Sequence, residues 1–195
     1  MFLKIGTGII VLIVVVALVV LLIFWVIGVY NKLVGLRNKV RNSWSQVDVQ
    51  LKRRFDLIPN LVETVKGYAK HEESIFGEFA RARGLYAQAS KSGDVAKAAE
   101  AEKGLAGALS RLLVVQERYP ELKANDNFKD MMNQLKDTEN KIAYSRQFYN
   151  DTALKYNDKV EMFPGNIIAG MFNFKIADFF EVTDETQREA VRVQF

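Results

Sequence analysis

An uninterrupted apolar run near the start of the chain constrains its fold more than any other feature. Nineteen consecutive residues, from Ile9 to Ile27, include no glycine, proline, polar or charged side chain. A helix rises about 1.5 Å per residue, so about 20 such residues cross a hydrocarbon core of about 30 Å. Trp25 and Tyr30 lie at the C-terminal end of the run, where amphipathic rings prefer the headgroup layer. The run therefore predicts a transmembrane helix.

The flanks of the run bear on whether the anchor is retained and which way it points. A cleaved signal peptide has a shorter apolar core and a small-residue cleavage site, and the stretch from Phe24 to Tyr30 offers no such site. Lys4 is the one charged side chain before the run, and the charges after it are all basic as far as Asp48. By the positive-inside rule, we expect a single-pass protein of the cell (inner) membrane, with its N-terminus outside and its C-terminal bundle in the cytoplasm.

The basic residues after the span form a local excess. Residues 32–54 hold seven lysines and arginines against one acid, next to a bilayer whose headgroups carry negative charge. Two interpretations are equally open: contact with lipid headgroups, or a solvated helix face that also sets topology. The candidate headgroup contacts are Lys32, Arg37, Lys39 and Arg41. The net charge of the whole chain, +4, is not typical of a nucleic-acid-binding protein, so no nucleic acid partner is expected.

Beyond the span, apolar residues recur at helical spacing. Between Leu33 and Ile58 they fall three or four positions apart and repeat every eleven residues, which is the period of a nearly straight amphipathic helix. Asp56 and Pro59 predict a helix break, because aspartate caps helix starts and proline is tolerated in a first turn. Further amphipathic stretches predict helices over about 57–89, 94–118 and 127–162.

These segments predict an all-α fold: a single N-terminal transmembrane helix followed by an antiparallel bundle of long helices. Only Gly28 weakens the join between the span and the first bundle helix, so we expect one continuous helix there. The expected division is an N-terminal segment and transmembrane helix at 1–29, a helical bundle at 30–162, an apolar membrane-proximal tail at 163–182 and a weakly ordered C-terminus at 183–195.

The tail is crowded with large apolar residues after Pro164 and Gly165 stop the last long helix. An antiparallel path of four helices returns that helix towards the bilayer, so the tail is expected near the membrane. Three places are open to it: the base of the bundle, the membrane interface, or a neighbouring subunit. The candidate oligomer or membrane contacts are Ile167, Ile168, Met171, Phe172, Phe174, Phe179 and Phe180.

Several segments have a specific sequence that helical periodicity alone does not require. The longest runs from Trp44 to Tyr68, and the shorter ones are Tyr30–Val34, Glu139–Ala143, Arg146–Tyr149, Phe163-Pro164 and Phe179-Phe180. Together they resemble the LemA family of bacterial membrane proteins over nearly the whole chain. The resemblance implies a single N-terminal span with its short end outside, a cytoplasmic helical bundle, and no established activity.

Residues that could carry chemistry are sparse. The chain has no cysteine and one histidine, His71, so neither a thiolate site nor the paired-histidine zinc motif can be built. Arg53 and Arg54, just before Asp56, are expected to stabilise a helix cap. We therefore expect no catalytic residue, no metal ligand and no cofactor, in a protein that is not an enzyme.

Two functions are open on this basis. The first is a non-enzymatic membrane-anchored helical scaffold of the LemA type, a homo-oligomer or a recruiter of unknown protein partners, which uses the basic helix and the apolar tail beside the lipid bilayer. The second is a membrane-anchored sensor or ligand-binding module, which requires a polar-lined cavity near Tyr68, Tyr149 or Tyr156.

Overall fold

The computed structural model describes residues 2–181, with side chains from residue 8 onward. Its helices are α1 (Phe2–Tyr68), α2 (Glu73–Ser92), α3 (Val95–Gln116), α4 (Pro120–Ala124), α5 (Asp126–Glu161) and α6 (Gly165–Met171), and these described residues contain no strand. The prediction of an all-α fold with a long apolar N-terminal helix is confirmed. The C-terminus predicted to be weakly ordered, 183–195, lies outside the described residues.

Helix α1 carries the apolar run and continues far beyond it. From Gly8 onward this helix is long and apolar enough to cross a membrane, and its apolar window is not buried by any part of the chain that the structure describes. The core helix of a soluble protein would be covered by its neighbours, whereas the described residues leave these side chains uncovered, as in a helix that faces lipid. The helix passes through Gly28 without interruption, which confirms the predicted continuous join between the span and the first bundle helix.

The predicted helix break at Asp56 and Pro59 is wrong. Pro59 lies inside α1, although proline lacks the N–H that would bond four residues back, and this costs about 3 kcal/mol in a helix interior. Packing explains why the helix continues, because Ile58 and Leu61 on either side are buried at the same helical spacing as the preceding stripe. The chain turns only after Tyr68, so α2 starts later than predicted.

The ends of α3 and α5 lie within two residues of their predicted positions. Asp94 caps α3 as predicted, since its carboxylate accepts a hydrogen bond of 3.0 Å from the amide of Lys97, and this bond lowers the pKa of Asp94. Gly93 precedes the cap with φ of 68°, a left-handed conformation that favours glycine at the end of α2. The short helix α4 was not predicted.

The chain divides into two compact units. The first comprises Met1–Asn42 and Thr152–Ala177, and the second comprises Ser43–Asp151 and Asp178–Phe195.

Within the second unit, α1 and α5 run antiparallel, because successive contacts advance along one helix and go back along the other. These contacts are Trp44 with Tyr149, Arg54 with Glu139, and Tyr68 with Asn125. Helices α2 and α3 are antiparallel neighbours by the same criterion, through Glu72 with Arg118 and Glu78 with Arg111.

Candidate functional site

The first unit brings the apolar tail to Tyr30, which lies just beyond the apolar run. The ring of Phe172 lies 4.8 Å from the ring of Tyr30, and the ring of Phe174 lies 5.6 Å from it, both in edge-to-face geometry. The guanidinium carbon of Arg37 lies 5.0 Å from the centre of the Phe174 ring, so the two make a cation–π contact. Tyr30 is only about 4.5 Å beyond Ile27 along the helix axis. These two tail residues therefore lie beside the end of the apolar run.

Helix α6 packs one side into the first unit and presents an apolar side outward. Ile168 and Ala169 are buried, whereas Ile167 and Met171, one helical turn apart, are 51% and 70% exposed. A glycine is needed at the start of α6, because a Cβ on Gly165 would lie 2.5 Å from the carbonyl oxygen of Lys159 in α5. The backbones of α5 and α6 therefore approach each other closely at this point.

The structure separates the seven tail residues that the sequence suggests as oligomer or membrane contacts. Three are buried in the protein, namely Ile168 and Phe174 in the first unit and Phe180 in the second. Four are exposed, namely Ile167, Met171 and Phe172 in the first unit and Phe179 in the second, where it lines a groove beside α3. A contact with lipid or another subunit stays a prediction, and it now concerns the exposed residues of the first unit.

The four basic residues suggested as headgroup contacts do not form one surface. Lys32 and Lys39 are exposed and seven residues apart, so they lie on one side of α1. Arg37 and Arg41 lie on another side, near Tyr156. Burial raises the pKa of Tyr156, and the charges of the two nearby guanidinium groups oppose this rise. Arg37 is half-buried over the tail, whereas Arg41 is exposed. Contact of these residues with headgroups stays a prediction.

A tyrosine–asparagine pair on α5 holds the extended stretch after α6 in the first unit. The hydroxyl of Tyr156 donates a hydrogen bond of 2.8 Å to the carbonyl of Lys175. The amide of Asn157 donates to the carbonyl of Ala177 at 2.9 Å and accepts from its N–H at 2.8 Å. Both backbone groups of Ala177 are thereby satisfied without a strand partner.

A second pair of the same kind acts in the second unit. Tyr149 donates to the carbonyl of Asp178 at 2.7 Å, and Asn150 exchanges hydrogen bonds of 2.9 and 3.1 Å with the backbone of Phe180. Burial and the Asp178 charge raise the pKa of Tyr149 to about 12. The Phe180 ring packs 5.9 Å from Trp44. Sequence reasoning missed both pairs, although a Tyr-Asn dipeptide repeated after seven residues was available as a signal.

A buried ion pair between Arg54 and Glu102 lies inside the second unit. The two side chains are 3% and 7% exposed, and Arg54 also reaches the exposed Glu139 at 3.5 Å. Burial raises the pKa of Glu102, although the Arg54 charge opposes the rise. The predicted cap role of Arg54 is wrong, since α1 does not end there. Arg54 follows Leu51 by three residues and precedes Ile58 by four, which places it on the buried stripe.

The cavities of the described residues bear on the ligand-binding alternative. Three cavities of about 470, 460 and 510 Å³ lie on the second unit, and none of these three is lined by Tyr68, Tyr149 or Tyr156. The hydroxyls of these three tyrosines are hydrogen-bonded to other groups of the protein. Among the described residues, no three histidine, aspartate or glutamate side chains converge as a metal-binding group would require.

Comparison with known proteins identifies one consistent group of relatives. The family model described as the LemA family matches residues 43–195. Magnetosome protein MamQ 2 of Paramagnetospirillum magneticum is 30% identical over 175 residues, which cover 78% of this chain and 64% of that protein. Magnetosome protein MamQ of Magnetospirillum gryphiswaldense is 29% identical over 174 residues, which cover 77% and 64%. Protein LemA of Metamycoplasma hominis is 23% identical over 163 residues, which cover 83% and 73%. The chain thus spans 64% of the length of the MamQ relatives.

Proposed function

The chain belongs to the LemA family, and from this premise we propose that it is a non-enzymatic, membrane-anchored helical scaffold that self-associates at the membrane. Family membership and the uncovered apolar helix support a LemA-type membrane-associated protein with one anchoring span. The proposal adds contact between copies and the recruitment of further protein partners to the assembly.

An exposed aromatic pair on α5 is the observation that carries the proposal. Tyr144 and Phe148 lie one helical turn apart and are 75% and 48% exposed. Asp137 and Lys141 continue the same face of α5 and form an ion pair of 2.8 Å. Aromatic residues are enriched in protein–protein interfaces, and tyrosine is enriched among the residues that dominate the binding energy. We therefore assign the contact between copies to this face of α5.

The composition of the span favours association through the helical domain instead of through the membrane. Helices that pair inside bilayers bring small residues together at four-residue spacing, and between Ile9 and Ile27 the one small residue is Ala17. Confinement to one membrane raises the effective concentration of the domains, so a contact on α5 that holds in detergent is strengthened further in the bilayer.

The ligand-binding alternative receives less support from the site. The hydroxyls of Tyr149 and Tyr156 hold the backbone of the extended stretch, so they serve the fold instead of facing a cavity. The cavity of about 510 Å³ has Arg54 and Glu139 in its lining, and these two side chains are paired with each other. Such groups hold helices together, which suits a scaffold.

Light scattering on the full chain in mild detergent tests self-association. The expected result is a protein mass well above the 22.2 kDa of one chain, with a shift towards the monomer when Tyr144→Ser and Phe148→Ser are combined. Val114→Ser is the matched control, since Val114 is an apolar side chain on α3 that is 67% exposed. A monomeric wild-type protein, or an assembly that the double variant leaves intact, would refute the proposal.

The proposal also places the helical domain in the cytoplasm, because the basic residues follow the span. A single cysteine introduced by Lys136→Cys, at an exposed position of a chain without cysteine, reports the side. In intact cells it should resist a membrane-impermeant thiol reagent and react after lysis. Labelling in intact cells would reverse the proposed orientation.

A further inference from the structure

We propose that the chain makes a second contact with the bilayer, through an apolar patch formed by the turn between α5 and α6, the outer side of α6 and the residue that follows it. This membrane-facing patch consists of Met162, Phe163, Ile167, Met171 and Phe172. It inserts into the interface of the same leaflet from which the span emerges. The inference rests on anchoring by the span and is independent of self-association.

The exposure of the patch is the first step of the argument. Its five side chains are between 50% and 79% exposed, although they lie within eleven residues of the chain. Isolated exposed apolar residues are normal on protein surfaces, whereas a cluster of large ones marks an interaction site. Phe163, Ile167 and Met171 follow one another at four-residue intervals, so the patch extends along one side of this turn of the chain.

The position of the patch identifies its partner. Phe172 contacts the ring of Tyr30 at 4.8 Å within the first unit, and Tyr30 lies about 4.5 Å beyond Ile27, the last residue of the apolar run. A residue at that height on a membrane-spanning helix lies in the headgroup layer, which aromatic side chains favour. The surface available to the patch at this height is therefore the membrane interface.

The charges of the first unit fit the same partner. Residues 30–42 and 152–177 hold seven lysines and arginines against two acids. An apolar face accompanied by basic side chains is the combination that interfacial membrane elements use on anionic lipid. Lys159 and Lys175 flank the patch in sequence, and Lys32 is exposed on α1 two residues beyond Tyr30. We expect insertion by apolar contact, strengthened by anionic headgroups.

Depth-dependent fluorescence quenching on the full chain tests the inference. Because the chain has no cysteine, Met171→Cys gives one site for a polarity-sensitive dye, in vesicles that contain lipids with a nitroxide near the headgroup. Asn42→Cys is the matched control, at an exposed site of the first unit on α1, 15 residues beyond Ile27 and so about 22 Å further along that helix. The expected result is blue-shifted emission and several-fold stronger quenching at residue 171 than at residue 42.

Two outcomes would overturn the inference. Equal quenching at both sites would mean that the patch is not in the bilayer. Blue-shifted emission that increases with the protein-to-lipid ratio, without quenching by the lipid nitroxide, would mean that a second copy of the chain covers the patch.

A charged variant separates insertion from a fold defect. A dye at Asn166→Cys, also exposed on α6, should lose most of its quenching when Ile167→Glu and Met171→Glu are combined, with the helical content unchanged. Quenching that survives the double variant would contradict the assignment of these side chains. The mass in detergent should not change, so this result and the self-association result can fail independently.

Discussion

Replacing Arg54 by methionine removes a guanidinium that is 3% exposed and leaves the Glu102 carboxylate, at 7%, without its partner. Removing one member of a buried pair destabilises a protein by about 3–5 kcal/mol, because the remaining charge stays buried. The lower end of this range applies here, since burial already raises the pKa of Glu102 and the carboxyl group can take up a proton. Glu139, at 63% exposure, adds little when it loses Arg54. We expect a loss of about 3 kcal/mol at neutral pH.

The double variant Arg54→Met/Glu102→Leu should recover most of that loss. Replacing a whole buried pair by apolar side chains of similar volume is often neutral or stabilising. The double-mutant cycle therefore predicts a coupling free energy of about 2 kcal/mol or more between residues 54 and 102. Urea unfolding of the full chain in mild detergent, followed by far-ultraviolet circular dichroism, measures each corner of the cycle.

The pH dependence of the single variant gives an independent check. Without the Arg54 charge, the folded-state pKa of Glu102 rises further above its unfolded value, so the folded state binds more protons between the two values. The stability of Arg54→Met should therefore increase as pH falls through that folded pKa, and the double variant should lack this change. A double variant as unstable as the single one, or a difference that widens in acid, would refute the account of this pair.

Three further substitutions test other parts of the structure by the same unfolding assay. Pro59→Ala restores a backbone donor inside α1 and should stabilise the protein by up to about 3 kcal/mol. A variant less stable than the wild type would contradict a continuous helix through residue 59. The wild type should lose about 1–2 kcal/mol of stability, after allowance for solvent screening, as pH rises from about 10 towards the Tyr149 pKa of about 12. Tyr149→Phe should not show this loss. Identical alkaline stability curves for the two proteins would contradict the raised pKa. Gly165→Ala forces a Cβ to 2.5 Å from the Lys159 carbonyl oxygen and should cost about 1–3 kcal/mol, or speed amide exchange in α6, whereas Gly170→Ala meets nothing within 4 Å and should do neither.

The buried face of α1 could be predicted from the sequence because residues on one face of a helix recur every three or four positions. Leu33, Val40, Val47, Leu51 and Phe55 belong to the predicted stripe and are all buried. A side chain at helical spacing must face the same side of α1, whatever its neighbours are. The span followed from composition alone, since a long apolar run has few alternatives.

Local signals failed where tertiary contacts outweigh them. Pro59 indicates a helix start by its own preference, yet the buried residues around it keep α1 continuous. Arg54 has the spacing of a core residue and was assigned to a cap because of its charge, since its partner Glu102 lies 48 residues away in the sequence. The Tyr149 and Tyr156 pairs bind backbone groups of a segment without secondary structure. The seven-residue repeat places both pairs on one side of α5, but helical periodicity does not identify the backbone groups that they bind.

Energy transfer between copies in a bilayer tests the central claim of a self-associating membrane scaffold most directly. Chains that carry Lys136→Cys are labelled separately with donor and acceptor dyes and reconstituted together in vesicles. The account predicts transfer that persists as lipid is added at constant protein and that is lost when Tyr144→Ser and Phe148→Ser are combined. Transfer that falls on dilution to the level of randomly distributed molecules would contradict it.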